Sequence, residues 1–183
     1  MVKIWLRDSD ESNPSLPHQT SPPIFLSTDE LFQRTGVKYI QVSDDACDDE
    51  NQLKELRIKH GYEHYDWLEI IPDTTEEHAK RMARFYEEHL HEDPEIRLIT
   101  SGNGYFEIRD TEEKWIRIHM TRGDLIDLPP GIYHRFTLDT NGYIKMLRLF
   151  SEIPKWSAVN RCENDAHPAR TRYEQFMKEA VTV

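Results

Sequence analysis

Cysteine is scarce in this chain. Cys47 and Cys162 are the two in 183 residues. Two thiols cannot build a disulfide framework, so a stapled secreted scaffold is excluded and a reducing intracellular compartment is expected. Long apolar runs are missing too. No stretch approaches the roughly 20 residues that a bilayer-spanning helix requires. The opening Met1-Val2-Lys3-Ile4-Trp5-Leu6-Arg7-Asp8 meets charge at once, so no secretory leader is expected. The expected location is cytoplasmic, with diffusion into a nucleus open to a protein of this size. Positive charge is in deficit, with 23 Lys and Arg against 34 Asp and Glu and a formal net charge of −11. Binding to a phosphate backbone draws on clustered cations, so no nucleic-acid partner is expected. The acidic balance favours a dispersed monomer. Internal repeats and low-complexity tracts are also lacking.

What remains is a chain of ordinary domain length, able to bury about 70% of its unfolded surface in a core. Residues 1–7 read as a strand. Residues 8–23 hold four of the ten prolines and read as an extended loop. Ser27-Thr28-Asp29-Glu30 fits a capping box, with a helix to follow and stop at Gly36. Residues 37–42 alternate as a strand does. The acids Asp44, Asp45, Asp48, Asp49 and Glu50 precede a helix over 50–60 and complement its dipole. The glycine and spaced ligands of a calcium loop are missing there. A short helix is expected around 66–71. Thr74-Thr75-Glu76-Glu77 reads as a second capping box, opening a helix of about four turns that ends near Leu90. Beyond it the apolar period changes from 3.6 to 2, with strands expected at 95–100, 104–109, 114–120, 124–128, 132–138 and 143–150. Short strands at that spacing suggest an antiparallel sandwich or barrel. A tail helix is expected from about Pro168 to Ala180.

Within this pattern stands a constellation of metal-ligand chemistry: His89, His91, Glu95 and the distant His134. In extended backbone, residues two apart face the same way. His89 and His91 therefore form one pair, Glu95, Arg97 and Ile99 share a face, and so do His134 and Phe136. If the sheet closes so that these faces meet, three imidazoles, one carboxylate and one guanidinium converge. Neutral imidazole suits Fe(II), Ni(II), Co(II), Zn(II) and Cu(II), and a carboxylate adds hardness. Four protein ligands leave two positions open on an octahedral ion, and a +2 ion with one carboxylate keeps a formal +1. Such a centre favours an anionic chelating substrate. A closed structural zinc site would be tetrahedral and richer in thiolate. His18, His60, His64, His78, His119 and His167 read as ordinary surface or core histidines. His119 is the nearest to an exception, since it shares a strand face with Trp115 and Arg117.

The same residues match both motifs of the cupin superfamily. His-x-His-x3-Glu-x6-Gly is met by His89, His91, Glu95 and Gly102, and Gly-x5-Pro-x-Gly-x2-His by Gly123, Pro129, Gly131 and His134. An asparagine often found four residues later is Leu138 here. Among cupins the chain resembles the eukaryotic-type acireductone dioxygenase family. The resemblance is carried by Phe85-Tyr86-Glu87-Glu88-His89-Leu90-His91, Glu95-Ile96-Arg97, Gly104-Tyr105-Phe106, Trp115-Ile116-Arg117, the run from Leu128 to Thr137, Met146-Leu147-Arg148-Leu149-Phe150 and Trp156. It is continuous over roughly 80–160 and weaker in the N-terminal third.

The resemblance implies a mainly β fold with peripheral helices, a cupin double-stranded β-helix or jelly-roll barrel. It implies one domain over 1–183: residues 1–74 packed on the barrel, 75–150 as a helix plus the metal-binding core, and 151–183 as a tail. It implies one divalent transition metal, Fe(II) or Ni(II) with Co(II) also suitable, held by His89, His91, Glu95 and His134. The implied reaction belongs to methionine salvage, with O2 and the acireductone 1,2-dihydroxy-3-keto-5-methylthiopentene as substrates. Fe(II) would give formate and 4-methylthio-2-oxobutanoate. Ni(II) or Co(II) would give formate, carbon monoxide and 3-methylthiopropionate. Arg97 falls where the family has a substrate-facing arginine. Phe85 and Phe136 would wall the pocket, with Trp156 a further candidate. Two other readings stay open: a different metal cupin oxygenase or isomerase, and a cupin serving as an interaction module.

Overall fold

The structure, a computed structural model, describes residues 2–154, 157–161 and 166–180. In chain order its elements are β1 (Lys3–Leu6), β2 (Phe25–Leu26), α1 (Thr28–Thr35), β3 (Lys38–Gln41), α2 (Asp44–Asp48), α3 (Glu50–His60), β4 (His64–Ile70), α4 (Glu76–Tyr86), β5 (His89–Leu90), β6 (Glu95–Gly102), β7 (Gly104–Arg109), β8 (Trp115–Met120), β9 (Asp124–Leu128), β10 (His134–Leu138), β11 (Ile144–Phe150), β12 (Val159–Asn160) and α5 (Pro168–Ala180). The strands form two sheets. One runs β12-β5-β10-β7-β8-β1-β2, the other β3-β9-β6-β11-β4. Every strand pair among the described residues is antiparallel. The fold is thus mainly β with peripheral helices, as expected. No helix among the described residues is long and apolar enough to cross a membrane.

Period-2 alternation decides which side chains meet. Phe106, Ile108 and Ile118 of the seven-stranded sheet pack with Ile99, Ile126 and Met146 of the five-stranded sheet in one buried cluster. The alternate residues of the five-stranded sheet, among them Ile96, Leu98 and Leu147, face outward onto Cys47 and Leu53 of α2 and α3. Both faces of β6 are therefore covered, and this explains why its residues are buried without a break from Glu95 to Thr100. Each such leucine or isoleucine contributes about 1.5–3 kcal/mol on burial. The outer face of the seven-stranded sheet is polar instead. There the fully buried Glu107 pairs with Arg7 at 2.7 Å, and with Arg117 and Arg135. Arg7 and Arg117 also donate to carbonyls of Asp8, Asp10 and Pro14, tying the N-terminal loop to the barrel.

Local signals account for the helix ends. Ser27 and Glu30 form the reciprocal capping box, and Gly36 closes α1 at φ 70°. Asp49 caps α3 by accepting from the amides of Asn51 and Gln52. Three expectations are corrected. The segment expected as a helix near 66–71 is β4, in which Asp66, Leu68 and Ile70 turn inward while Tyr65, Trp67 and Glu69 are exposed. Its period is 2, and pairing with β11 outweighed local helix propensity. The cap of α4 is Thr75, one residue later than the box would place it, so Glu77 has no reciprocal role. The same helix stops at Tyr86, short of Leu90, because Glu87 turns extended (φ −70°, ψ 133°) to enter β5.

Candidate metal centre

The end of α4 and the start of β5 set the first ligand candidate. His89 lies opposite His134 of β10 in the antiparallel register, so two of the histidines are neighbours across a strand pair. After His91 the chain crosses from one sheet to the other through Glu92-Asp93-Pro94 and enters β6 at Glu95. The Gly131 amide donates to the His91 carbonyl at 2.9 Å, linking the turn before His134 to the first histidine pair. Gly131 is required there. Its φ is 81°, and a Cβ would sit 2.1 Å from the Ala169 carbonyl oxygen.

One ring nitrogen from each of His89, His91 and His134 lies within 4.8 Å of the other two. The rings are oriented by backbone. His89 Nδ1 contacts the Glu87 carbonyl at 2.6 Å, His91 Nδ1 that of Ser157 at 2.9 Å, and His134 Nδ1 that of Ile132 at 3.0 Å. A carbonyl oxygen only accepts, so each Nδ1 carries the proton and each Nε2 presents a lone pair. Glu95 Oε2 lies 3.0 Å from His91 Nε2 and 3.5 Å from His134 Nε2. Donors at about 2.1 Å from a common ion and at right angles to each other lie about 3.0 Å apart, so these spacings suit one shared cation. His134 Nε2 is fully buried and has no hydrogen-bond partner. Such an orphaned donor atom is costly unless something binds it. The three imidazoles fit a divalent transition metal, and Glu95 lies beside two of them.

The charges on His89 and Glu95 agree with that fit. Burial, then the neighbouring His134, pushes His89 down to about 4, so it is neutral at pH 7. Burial also works against the charged form of His91, but Glu95 outweighs it and raises that imidazole, so a proton on Nε2 competes with an ion for this position. Burial opposes the ionised form of Glu95, yet Arg97 and His134 hold the carboxyl well below its usual range. Arg97 reaches Glu95 Oε2 at 3.2 Å and donates to the Ile96 carbonyl at 2.9 Å.

These groups line one side of a cavity of about 240 Å³. Phe85 and Phe136 meet edge to face there, ring centroids 6.2 Å apart, and Phe106 lies 5.0 Å from Phe136. A smaller recess of about 40 Å³ shares His91, Glu95 and Arg97 with it. The structure thus brings His89, His91, Glu95, His134, Arg97, Phe85 and Phe136 to one cavity. Trp156 lies outside the described residues. His119 is elsewhere, its ring 5.0 Å from that of Tyr105 on the outer face of the barrel. Sequence reasoning missed Leu68, Arg84, Phe106, Met146, Arg148 and Ala158, which also line the cavity. Leu68 was hidden by reading β4 as a helix. Met146 and Arg148 alternate on β11 and could have been assigned by parity. In the register Leu68 faces Met146 and Asp66 faces Arg148, and Arg148 donates to Asp66 at 2.6 and 2.8 Å.

Comparison with known proteins agrees with this architecture. Residues 3–158 match the family model described as the ARD/ARD' family. An acireductone dioxygenase of Ixodes scapularis is 44% identical over 184 residues, covering 100% of both chains. One of Drosophila melanogaster is 45% identical over 161 residues, covering 88% of this chain and 87% of the fly protein. Among solved structures, an acireductone dioxygenase from Bacillus anthracis, described with a cadmium ion in its active centre, superposes with a TM-score of 0.66. Its identity is 20%, and the match covers 87% of this chain and 98% of the bacterial one. At that identity the superposition speaks for a shared cupin fold. The family match spans well over half of the chain and the full-length identity is high: this chain belongs to the ARD/ARD' family.

Proposed function

We propose that the chain is a metal-dependent dioxygenase of methionine salvage that cleaves 1,2-dihydroxy-3-keto-5-methylthiopentene with O2. In this reading residues 1–183 form one functional unit and act as a monomer. With Fe(II) the products are formate and 4-methylthio-2-oxobutanoate. With Ni(II) or Co(II) they are formate, carbon monoxide and 3-methylthiopropionate. The observation that carries the reading is the buried, partnerless His134 Nε2 aimed at Glu95 beside two further imidazoles, in a cavity that also holds Arg97. The names of the relatives and the cadmium described in the Bacillus protein support it.

His89, His91, Glu95 and His134 would hold the ion. When bound, a divalent transition metal supplies Lewis acidity and a template for two vicinal oxygens. The protein does the rest. Arg97 spends two donors on Glu95 and Ile96 and keeps others of its five N–H groups for an anionic enediolate. Its cation is already fixed, so it stabilises developing charge without reorganising. Phe85, Phe136, Leu68 and Met146 form an apolar wall suited to a methylthioalkyl chain, and they exclude water from the reacting oxygens. Trp156 is kept as a further wall residue in this reading.

The test is aerobic decay of the acireductone absorbance by protein reconstituted with Fe(II) or with Ni(II), with products identified for each. Catalysed loss is expected with both, and carbon monoxide only with Ni(II). Decay no faster than the uncatalysed rate with fully loaded protein would sink the proposal.

A further inference from the structure

Three arginines line the cavity beside the histidines, and two of them are already engaged. Arg97 is held by Glu95 and the Ile96 carbonyl, and Arg148 is paired with Asp66. The third, Arg84, stands in the last turn of α4, next to Phe85. Its side chain is exposed and has no ion-pair or hydrogen-bond partner among the described residues. Arg81, one turn earlier, sits with its guanidinium carbon 5.6 Å from the centroid of the Phe85 ring. A cation with no counter-charge among the described residues thus stands at the opening of a cavity in a protein of net charge −11.

We propose that Arg84 is the capture residue of this cavity, a specificity-determining group that recruits anionic chelating substrates past the acidic surface. The proposal rests on the reading of the cavity as a metal-dependent substrate site. A protein field of one sign repels a ligand of the same sign, and a local cation at the mouth offsets it. A rim charge of this kind acts on association and on its salt dependence, while the buried Arg97 acts on bound charge. Screening is steep over roughly 8 Å at physiological ionic strength, so the effect belongs to low salt. A cation in the last turn also complements the helix dipole, so a purely structural role must be separable.

The experiment uses full-length protein loaded with Co(II) and titrated with oxalate, an unreactive bidentate dianion, followed by the visible absorption of the cobalt. Wild type, Arg84→Lys, Arg84→Ala and Arg84→Glu are compared at about 20 mM and about 300 mM salt. At low salt, oxalate affinity should fall about 2–5-fold in Arg84→Ala and about 10-fold in Arg84→Glu, stay near wild type in Arg84→Lys, and converge at high salt. Cobalt content should not move in any variant, and melting temperature should fall only by the small loss of the helix-dipole contribution, at both salt concentrations and without tracking oxalate affinity. Imidazole, a neutral metal ligand, should bind all four alike. Oxalate affinity that ignores the charge at position 84, or a loss shared equally by imidazole, overturns the proposal. In turnover, kcat/KM for the acireductone should follow the same order while kcat stays level. Absence of acireductone turnover in wild type, with the oxalate order intact, would sink the proposed reaction and leave the capture role standing.

Discussion

Glu95 joins the polar contacts of the site. A single oxygen, Oε2, lies 3.0 Å from His91, 3.5 Å from His134 and 3.2 Å from Arg97. A carboxylate so placed can offer an electron pair to an ion held by the imidazoles and is a countercharge to the guanidinium. The two partners should therefore separate on mutation. His134→Ala removes a donor and should abolish metal loading and turnover together, a loss well beyond the roughly 10–100-fold typical of supporting residues. Arg97→Ala leaves the three imidazoles and Glu95 in place. It should keep its metal by elemental analysis while kcat/KM falls by about 10²–10³, the scale of losing one preorganised charge donor. Full activity in that variant would refute the assigned role.

At the scale of elements, the junction of α4 and β5 carries the site, and Glu88 holds it. Its carboxylate accepts from Arg109 of β7 at 3.0 and 3.2 Å and from Arg161, just past β12, at 2.7 Å. The Arg161 amide donates to the Glu88 carbonyl at 3.0 Å, so the segment whose Ser157 carbonyl orients His91 is tied to the same point. Burial works against the ionised form of Glu88, but hydrogen bonds and charge from the two arginines win and lower its pKa below the ordinary 4.5. A depressed folded-state value stabilises the fold above about 4.5, and that contribution is lost as pH falls through the lowered value. Glu88→Gln should thus be less stable by about 1–2 kcal/mol at pH 7. Thermal melts across pH should show the gap to wild type closing below about pH 4. A constant gap at every pH would mean that packing, and not charge, explains the loss.

For the whole molecule, the centre is where the two sheets are joined. His89 and His134 come from the seven-stranded sheet, and Glu95 and Arg97 from the five-stranded one. A ligand gripped from both sheets binds the folded state and has no comparable site in the unfolded chain. It should stabilise by RT ln(1 + [L]/Kd), about 2.7 kcal/mol at a hundredfold excess over Kd. Calorimetry should show the melting temperature rising with added Ni(II) and falling with chelator. The rise should vanish in His134→Ala. An unchanged melting temperature in wild type at saturating Ni(II) would show that the ion does not bridge the sheets.

Much of this was legible in the residues alone, because some constraints are local. Two-residue spacing put His89 beside His91, aligned Glu95 with Arg97, and aligned His134 with Phe136. Ser27 and Gly36 marked the ends of α1 within one turn of themselves. What only the tertiary structure decided depends on register and on partners far away in sequence. Alternation tells which face a side chain takes and not what faces it. That Asp66 occupies Arg148 and that Glu107 gathers Arg7, Arg117 and Arg135 under the N-terminal loop follow from strand pairing and sheet closure, and the packing of α4 against the barrel leaves Arg84 beside the cavity with no anion among the described residues. The reading of β4 failed for the same reason, since its strand conformation is held by the ladder to β11 and not by its own propensity.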